Sequence, residues 1–207
     1  LMGGADFLVG DATTIEPAEF ITSGDACLKC HGDIYFHGSH RRGVQNCFLC
    51  HGVAGAEDWP VYRTSGATTP EDETPGLTIE FRNMLHKIHH GKNLEAGDNY
   101  VVLGFRGNGH TYEEVGFPSF LGETANCEAC HGDGNTAWQM PTERLHPSLP
   151  ANAPSQSWQL VCGSCHDGRT ALAHMGTNTS AGIESCALCH GPGKEHDVEL
   201  VHRNFVR

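Results

Sequence analysis

Apolar positions are sparse along this chain, and only two stretches gather them into something that reads as regular structure. The first is FRNMLHKIHHG at residues 81–91. Pro75 and Gly76 end the loop before it, Thr78 is a candidate N-cap, Glu80 stands in the first turn, Lys87 in the last, and Gly91 falls where a C-cap glycine belongs. These signals predict a helix over residues 79–90. The second is YVVLGF at 100–105, the best strand in the chain, weakened by its Gly104. Elsewhere turn chemistry dominates. Residues 53–76 are rich in Gly, Thr, Pro and acidic side chains, and the proline-containing segment 135–157 also reads as loop. The expected fold class is mostly irregular, with short α-helices and minimal β-structure. No run of 18 or more apolar residues occurs, so no segment is expected to span a membrane.

Composition sharpens the problem. Leu, Ile, Val and Phe make up only about a fifth of the 207 residues, and the net charge is -12, which together border on the composition of a disordered chain. The 26 glycines and 10 prolines fit a chain wrapped around something else. A folded protein of this composition needs apolar surface from another source.

The ten cysteines supply it. They fall into five CxxCH motifs: Cys27, Cys30 and His31; Cys47, Cys50 and His51; Cys127, Cys130 and His131; Cys162, Cys165 and His166; Cys186, Cys189 and His190. CxxCH is the attachment signal of a c-type haem, whose two thioethers hold the porphyrin while the histidine takes one axial position. Five covalently attached haem c groups, roughly one per forty residues, would form the core. Zinc is the rival, because Cys30 and Cys47 enclose 16 residues and Cys165 and Cys186 enclose 20, close to ribbon spacing. Two ribbons would strand Cys127 and Cys130. Zinc also gives no reason for a histidine after every pair, a coincidence on the order of one in a million at histidine's abundance here.

Ten further histidines are available for the second axial position: His37, His40, His86, His89, His90, His110, His146, His174, His196 and His202. On a helix His86 lies three residues from His89 and four from His90, so one rod offers ligands to two irons. His37, between an apolar and a flexible neighbour, His174 and His202 are the other candidates. Met175 competes with His174, and sulfur there would raise the potential. His40, His110, His146 and His196 read as surface groups or propionate partners. Arg41, Arg42 and Arg106 are reasonable propionate partners. The turn at 133–135 is a weak calcium signal that lacks the remaining ligands of a loop site.

The acidic balance, with no basic stripe or aromatic-basic interleaving, excludes nucleic acid as a partner. Thioether attachment takes place outside the cytoplasm, so the protein is expected to be exported, to the cell surface or the periplasm. The opening LMGGADFLVGDATTIE carries no positive charge and reads as a mature or trimmed start. Residues 1–22 are expected to form an arm or linker, and residues 23–207 a pentahaem domain.

The chain resembles the outer-membrane decahaem cytochromes of the OmcA/MtrC type, specifically one of their pentahaem domains. The resemblance is carried by CxxCHG followed by FHG and a basic turn, by MLHKIHHG, by GFRGNGH leading to VGFP and NCEACH, and by CGSCHD, AHM, ESCALCHGPG and a terminal VH. It implies distal ligands His37, His86, His89, His174 and His202, preferring His89 to His90. It also implies a cross-shaped or staggered haem array that passes electrons to minerals, soluble shuttles or other cells. The expected partners are other multihaem cytochromes or identical subunits, and extracellular acceptors. The expected function is electron transfer without substrate catalysis. A filament subunit whose haems run through the polymer is the structural alternative, and a reductase with one open iron the enzymatic one.

Overall fold

The computed structural model describes residues 7–14, 22–51, 57–58, 77–97, 100–103, 109–119, 122–132, 136–141 and 157–203. Arg106, His146 and the turn at 133–135 lie outside them, as do most of the arm at 1–22 and of the loops at 53–76 and 135–157.

Regular elements are short and local. Among the described residues there are eight α-helices: α1 Gly24–Leu28, α2 Val44–Cys47, α3 Phe81–His90, α4 Glu128–His131, α5 Ser157–Cys162, α6 Arg169–Thr177, α7 Ala187–His190 and α8 Val198–Arg203. The strands form four separate antiparallel pairs: β1 Tyr35–Phe36 with β2 Arg41–Arg42, β3 Glu57–Asp58 with β4 Leu77–Thr78, β5 Val101–Leu103 with β6 Gly109–Thr111, and β7 Thr179–Ser180 with β8 Ile183–Glu184. No sheet among the described residues exceeds two strands. The fold is the expected one, short helices joined by irregular chain, with no barrel among the described residues.

Side-chain caps start several of these helices, because elements this short leave most of their first N–H groups without an internal partner. Ser23 accepts from the N–H of Ala26 at the start of α1. Asp197 accepts from the N–H groups of Glu199 and Leu200 at the start of α8. At α5 the cap comes from a distant strand: the Glu184 carboxylate accepts from the N–H groups of Trp158 at 3.0 Å and Gln159 at 2.6 Å. The predicted central helix is present over Phe81–His90, but its N-cap is Glu80 and not Thr78. Thr78 is held extended by pairing with Glu57, and its hydroxyl accepts from the Glu80 N–H; the Glu80 carboxylate then accepts from Asn83 N–H. Gly91 does close the helix, its N–H bonded to the Lys87 carbonyl. A Cβ there would lie 2.4 Å from the Tyr112 carbonyl oxygen, so only glycine fits this close approach.

The predicted strand at 100–105 appears as β5, paired with β6 from Val101 opposite Thr111 to Leu103 opposite Gly109. Gly104 lies outside the described residues.

The apolar interior is very small. Among the described residues only Ala26, Val44, Phe81, Tyr100 and Trp158 are buried apolar side chains, whereas Leu28, Leu49 and Leu188, each inside a CxxC, stand largely open. The helix α3 is the hub. Its first residue Phe81 packs on Phe48 at a ring separation of 4.7 Å and donates its N–H to the His51 carbonyl. Farther along, Asn83 Nδ2 donates to the Leu160 carbonyl of α5 at 2.9 Å. Beyond the helix end, Lys92 N–H donates to the Val115 carbonyl.

Candidate cofactor-binding sites

Each CxxCH folds into one helical turn. The N–H of the histidine donates to the carbonyl of the first cysteine at 3.0 Å in the first motif, 2.8 Å in the second, 2.9 Å in the third, 2.8 Å in the fourth and 2.9 Å in the fifth. Spacings of three and four along a helix lie on one face, so the two thiols and the imidazole of every motif are presented together. No disulfide joins any of the ten cysteines. Burial pushes Cys127 up to about 11 and Cys162 up to about 12. Such thiols stay protonated at neutral pH.

Each of the five motif histidines faces a further histidine, and His190 faces two, His174 and His196. Ring centroids are 6.1 Å apart for His31 and His89, 6.1 Å for His37 and His51, 6.2 Å for His86 and His131, 6.2 Å for His166 and His202, and 6.2 Å for His174 and His190. A ligating imidazole nitrogen sits about 2 Å from its metal and roughly 1.1 Å from its own ring centre, so two imidazoles on opposite sides of one metal have centroids about 6 Å apart. The five pairs meet that spacing. Ring planes are near perpendicular at 80° and 86° in the first and fifth pairs, and closer to parallel at 24° and 35° in the second and third.

Backbone carbonyls orient these rings. His51 Nδ1 bonds to the Ile79 carbonyl at 2.8 Å, His190 Nδ1 to the His196 carbonyl at 3.0 Å, His89 Nδ1 to the Leu85 carbonyl at 2.8 Å, and His202 Nδ1 to the Val198 carbonyl at 2.7 Å. A carbonyl can only accept, so the proton sits on Nδ1 and the Nε2 lone pair is left for a metal. His86 is half-buried with its Nδ1 shielded, and desolvation of the ring, followed by the neighbouring His131, lowers its pKa to about 4, keeping it neutral.

The remaining histidines are arranged differently. His90 bonds through Nδ1 to Thr124 Oγ1 at 2.6 Å and belongs to none of the five pairs. His40, His110 and His196 are exposed. His196 lies 5.9 Å from His190 by ring centroid, and its carbonyl takes the His190 Nδ1 proton. Arg42 pairs with Asp33 and lies over the Tyr35 ring at 5.0 Å, while Arg41 stays exposed.

The motifs also have an order in space. The Thr22 hydroxyl donates to the Cys130 carbonyl at 2.6 Å, tying the start of the first motif to the third, and α1 packs on α4. The Cys47 thiol is raised by burial and then by Cys27, and the Cys130 thiol by burial and then by Cys27 and Cys30. Cys127 feels Cys165, and Cys162 feels Cys186. The line of neighbours therefore runs second, first, third, fourth, fifth. Helix α3 spans the first and third, through His89 and His86.

Haem fits these residues on three counts. The donor set is two thiols and two trans-facing imidazoles, five times over. Open leucines inside three of the motifs offer apolar surface for a porphyrin to cover. Trp138 Nε1 is buried without an acceptor among the described residues, and a haem carboxylate is an acceptor. Among the described residues no group of three or more His, Cys, Asp or Glu side chains is placed to hold a metal ion.

Two features escaped the sequence reading. The carbonyls of Ile79 and His196 carry no residue signal at all. Asp167, which follows the fourth motif, is buried and bonded to Lys87 of α3, and only the HD pair in CGSCHD hinted at it.

Residues 20–203 match the family described as outer membrane cytochrome MtrC/MtrF-like, domains II/IV. Among solved structures the chain is similar to the outer membrane decaheme cytochrome OmcA, at 25% identity and a TM-score of 0.48, over 89% of this chain and 23% of that one. The chain thus spans about a quarter of that structure's length. None of the curated proteins matches it.

Proposed function

We propose, given that this chain belongs to the family of MtrC/MtrF-like outer membrane cytochromes, that it is a pentahaem electron carrier of the cell surface. Membership makes it a multihaem c-type cytochrome with covalently bound haem c, whose work is electron transfer. The finer reading is ours: five haems, each anchored by one CxxCH, with His89, His37, His86, His202 and His174 closing the sites of His31, His51, His131, His166 and His190 in turn. The observation that carries it is the recurrence of one ring spacing, 6.1 to 6.2 Å, at all five motifs.

Bound haem supplies a reversible one-electron iron couple. The residues do the rest. The cysteines would hold each porphyrin, the paired imidazoles would supply both nitrogen ligands to each iron, and Nδ1-to-carbonyl bonds orient the rings of His51, His89, His190 and His202. The neighbour order of the motifs supports a line with the second and fifth sites at its ends, through which electrons would enter and leave. Donors and acceptors would be other multihaem cytochromes and extracellular acceptors such as minerals or soluble shuttles, with residues 23–207 as the haem module and the first 22 as an arm. Completion of all five pairs within one chain favours a self-contained module over a filament subunit that borrows a histidine.

Mass spectrometry of the purified protein should find five haems per chain. Electron paramagnetic resonance of the oxidised form should be wholly low-spin, in two classes that reflect near-perpendicular and near-parallel ring pairs. Fewer than five haems, or a high-spin signal, would overturn the assignment.

A further inference from the structure

Asp167 directly follows His166 and is 6% exposed. Its carboxylate collects three donors from the far side of the molecule. Oδ1 accepts from the N–H of Glu95 at 2.9 Å, and Oδ2 accepts from Ala96 N–H at 3.4 Å and from Lys87 Nζ at 3.5 Å. Lys87 lies on α3 between His86 and His89, its side chain 16% exposed and its ammonium 5.3 Å above the Tyr100 ring centre. Two opposite charges are thus set into a poorly solvated seam between the central helix and the fourth motif. Charges interact over longer reach in such surroundings than in water.

We propose that Lys87 and Asp167 form a fixed charge pair that sets the reduction potential of the fourth site. Reduction adds one electron to the iron and needs no co-reactant beyond the electrode or partner that delivers it. A carboxylate beside the axial His166 disfavours that added charge and draws the potential down. The ammonium of Lys87, one step farther away, opposes it. The pair also moors α3 to the motif, so a purely mechanical role is the competing explanation. The two roles separate by sign, because loosening one joint from either side moves potentials in a common direction, whereas deleting opposite charges moves them in opposite directions.

The inference rests on a haem at the fourth motif, held by His166 and His202. The test is voltammetry of the full haem-loaded chain, with haem content by mass and spin state checked for every variant. His202→Met first identifies the fourth couple as the one that moves up, since sulfur ligation raises the potential. Asp167→Asn should then raise that couple, Lys87→Met should lower it, and the double variant should fall between them, near the unmodified protein. If Asp167→Asn does not accumulate, Lys87→Met alone decides: a fourth couple that rises or stays put overturns the proposal. So do shifts of the same sign in both single variants with five low-spin haems retained. A fourth motif that carries no haem in the unmodified protein removes the premise instead, and mass alone reveals that case.

Discussion

The second and third sites hold their histidine pairs at 6.1 and 6.2 Å by opposite means. His86 is half-buried on the ten-residue helix α3, its Nδ1 shielded from solvent. His37 sits on the exposed connection between β1 and β2, with a backbone φ of 53°, followed by Gly38 at 68° and Ser39 at 70°. Left-handed backbone costs an L-residue roughly 1–2 kcal/mol. The Arg42–Asp33 pair and the Arg42 side chain over Tyr35 brace the base of the hairpin, and on the proposed assignment ligation of the His37 ring adds to them at its tip. The comparison teaches that ring spacing is common to the two pairs, whereas the scaffold around them is not. The ring of His86 is positioned by a helix, and that of His37 by an exposed turn.

The sharpest way to break this contrast is to remove each distal ring. His86→Ala empties a half-buried position on the central helix and should cost about 2 kcal/mol of stability, whereas His37→Ala, at an exposed one, should cost less than about 1 kcal/mol. Both should produce a high-spin signal from one haem. Thermal melts of the two haem-loaded variants decide the matter, and equal losses would show that the two scaffolds do not differ as described.

A smaller effect is expected when the helix end is disturbed without touching a ligand. In Gly91→Ala the new methyl meets the Tyr112 and Val115 carbonyls. Overpacking of this kind costs about 1–3 kcal/mol. Melting should fall accordingly, and resonances of the first and third haems should shift while those of the second stay in place. A spread of the perturbation to the second haem would mean that α3 and the hairpin are not independent.

The smallest effect is a gain. Ser39→Gly relieves the left-handed residue next to the loop-held ligand and should stabilise the protein by about 1 kcal/mol at most. Amide exchange across 35–42 should slow, with no change around α3. Faster exchange there would mean that the serine side chain holds the loop and that its strain is not the controlling feature.

What was legible in the chain was everything set by short spacing. Three- and four-residue intervals on a helical turn bring two thiols and an imidazole to one side, and that follows from helix geometry wherever CxxCH occurs. The same logic put His86 on one rod with His89 and His90, and it located Gly91 as the helix end. It misplaced the N-cap by two residues, because Thr78 is drawn into pairing with Glu57, a partner 21 positions away by number that no local rule reveals.

Tertiary structure decided the rest. Spacing left His89 and His90 equivalent, and the likeness in the motifs only ranked them. In the folded chain Thr124 holds His90 by its Nδ1, while the His89 ring faces His31. The order of the five motifs in space, and the meeting of Lys87 with Asp167, depend on contacts between segments about 80 to 110 residues apart. Periodicity along a chain encodes which side chains share a face. It does not encode which faces meet, and in a protein with so few buried apolar residues of its own that choice falls to packing around the cofactors.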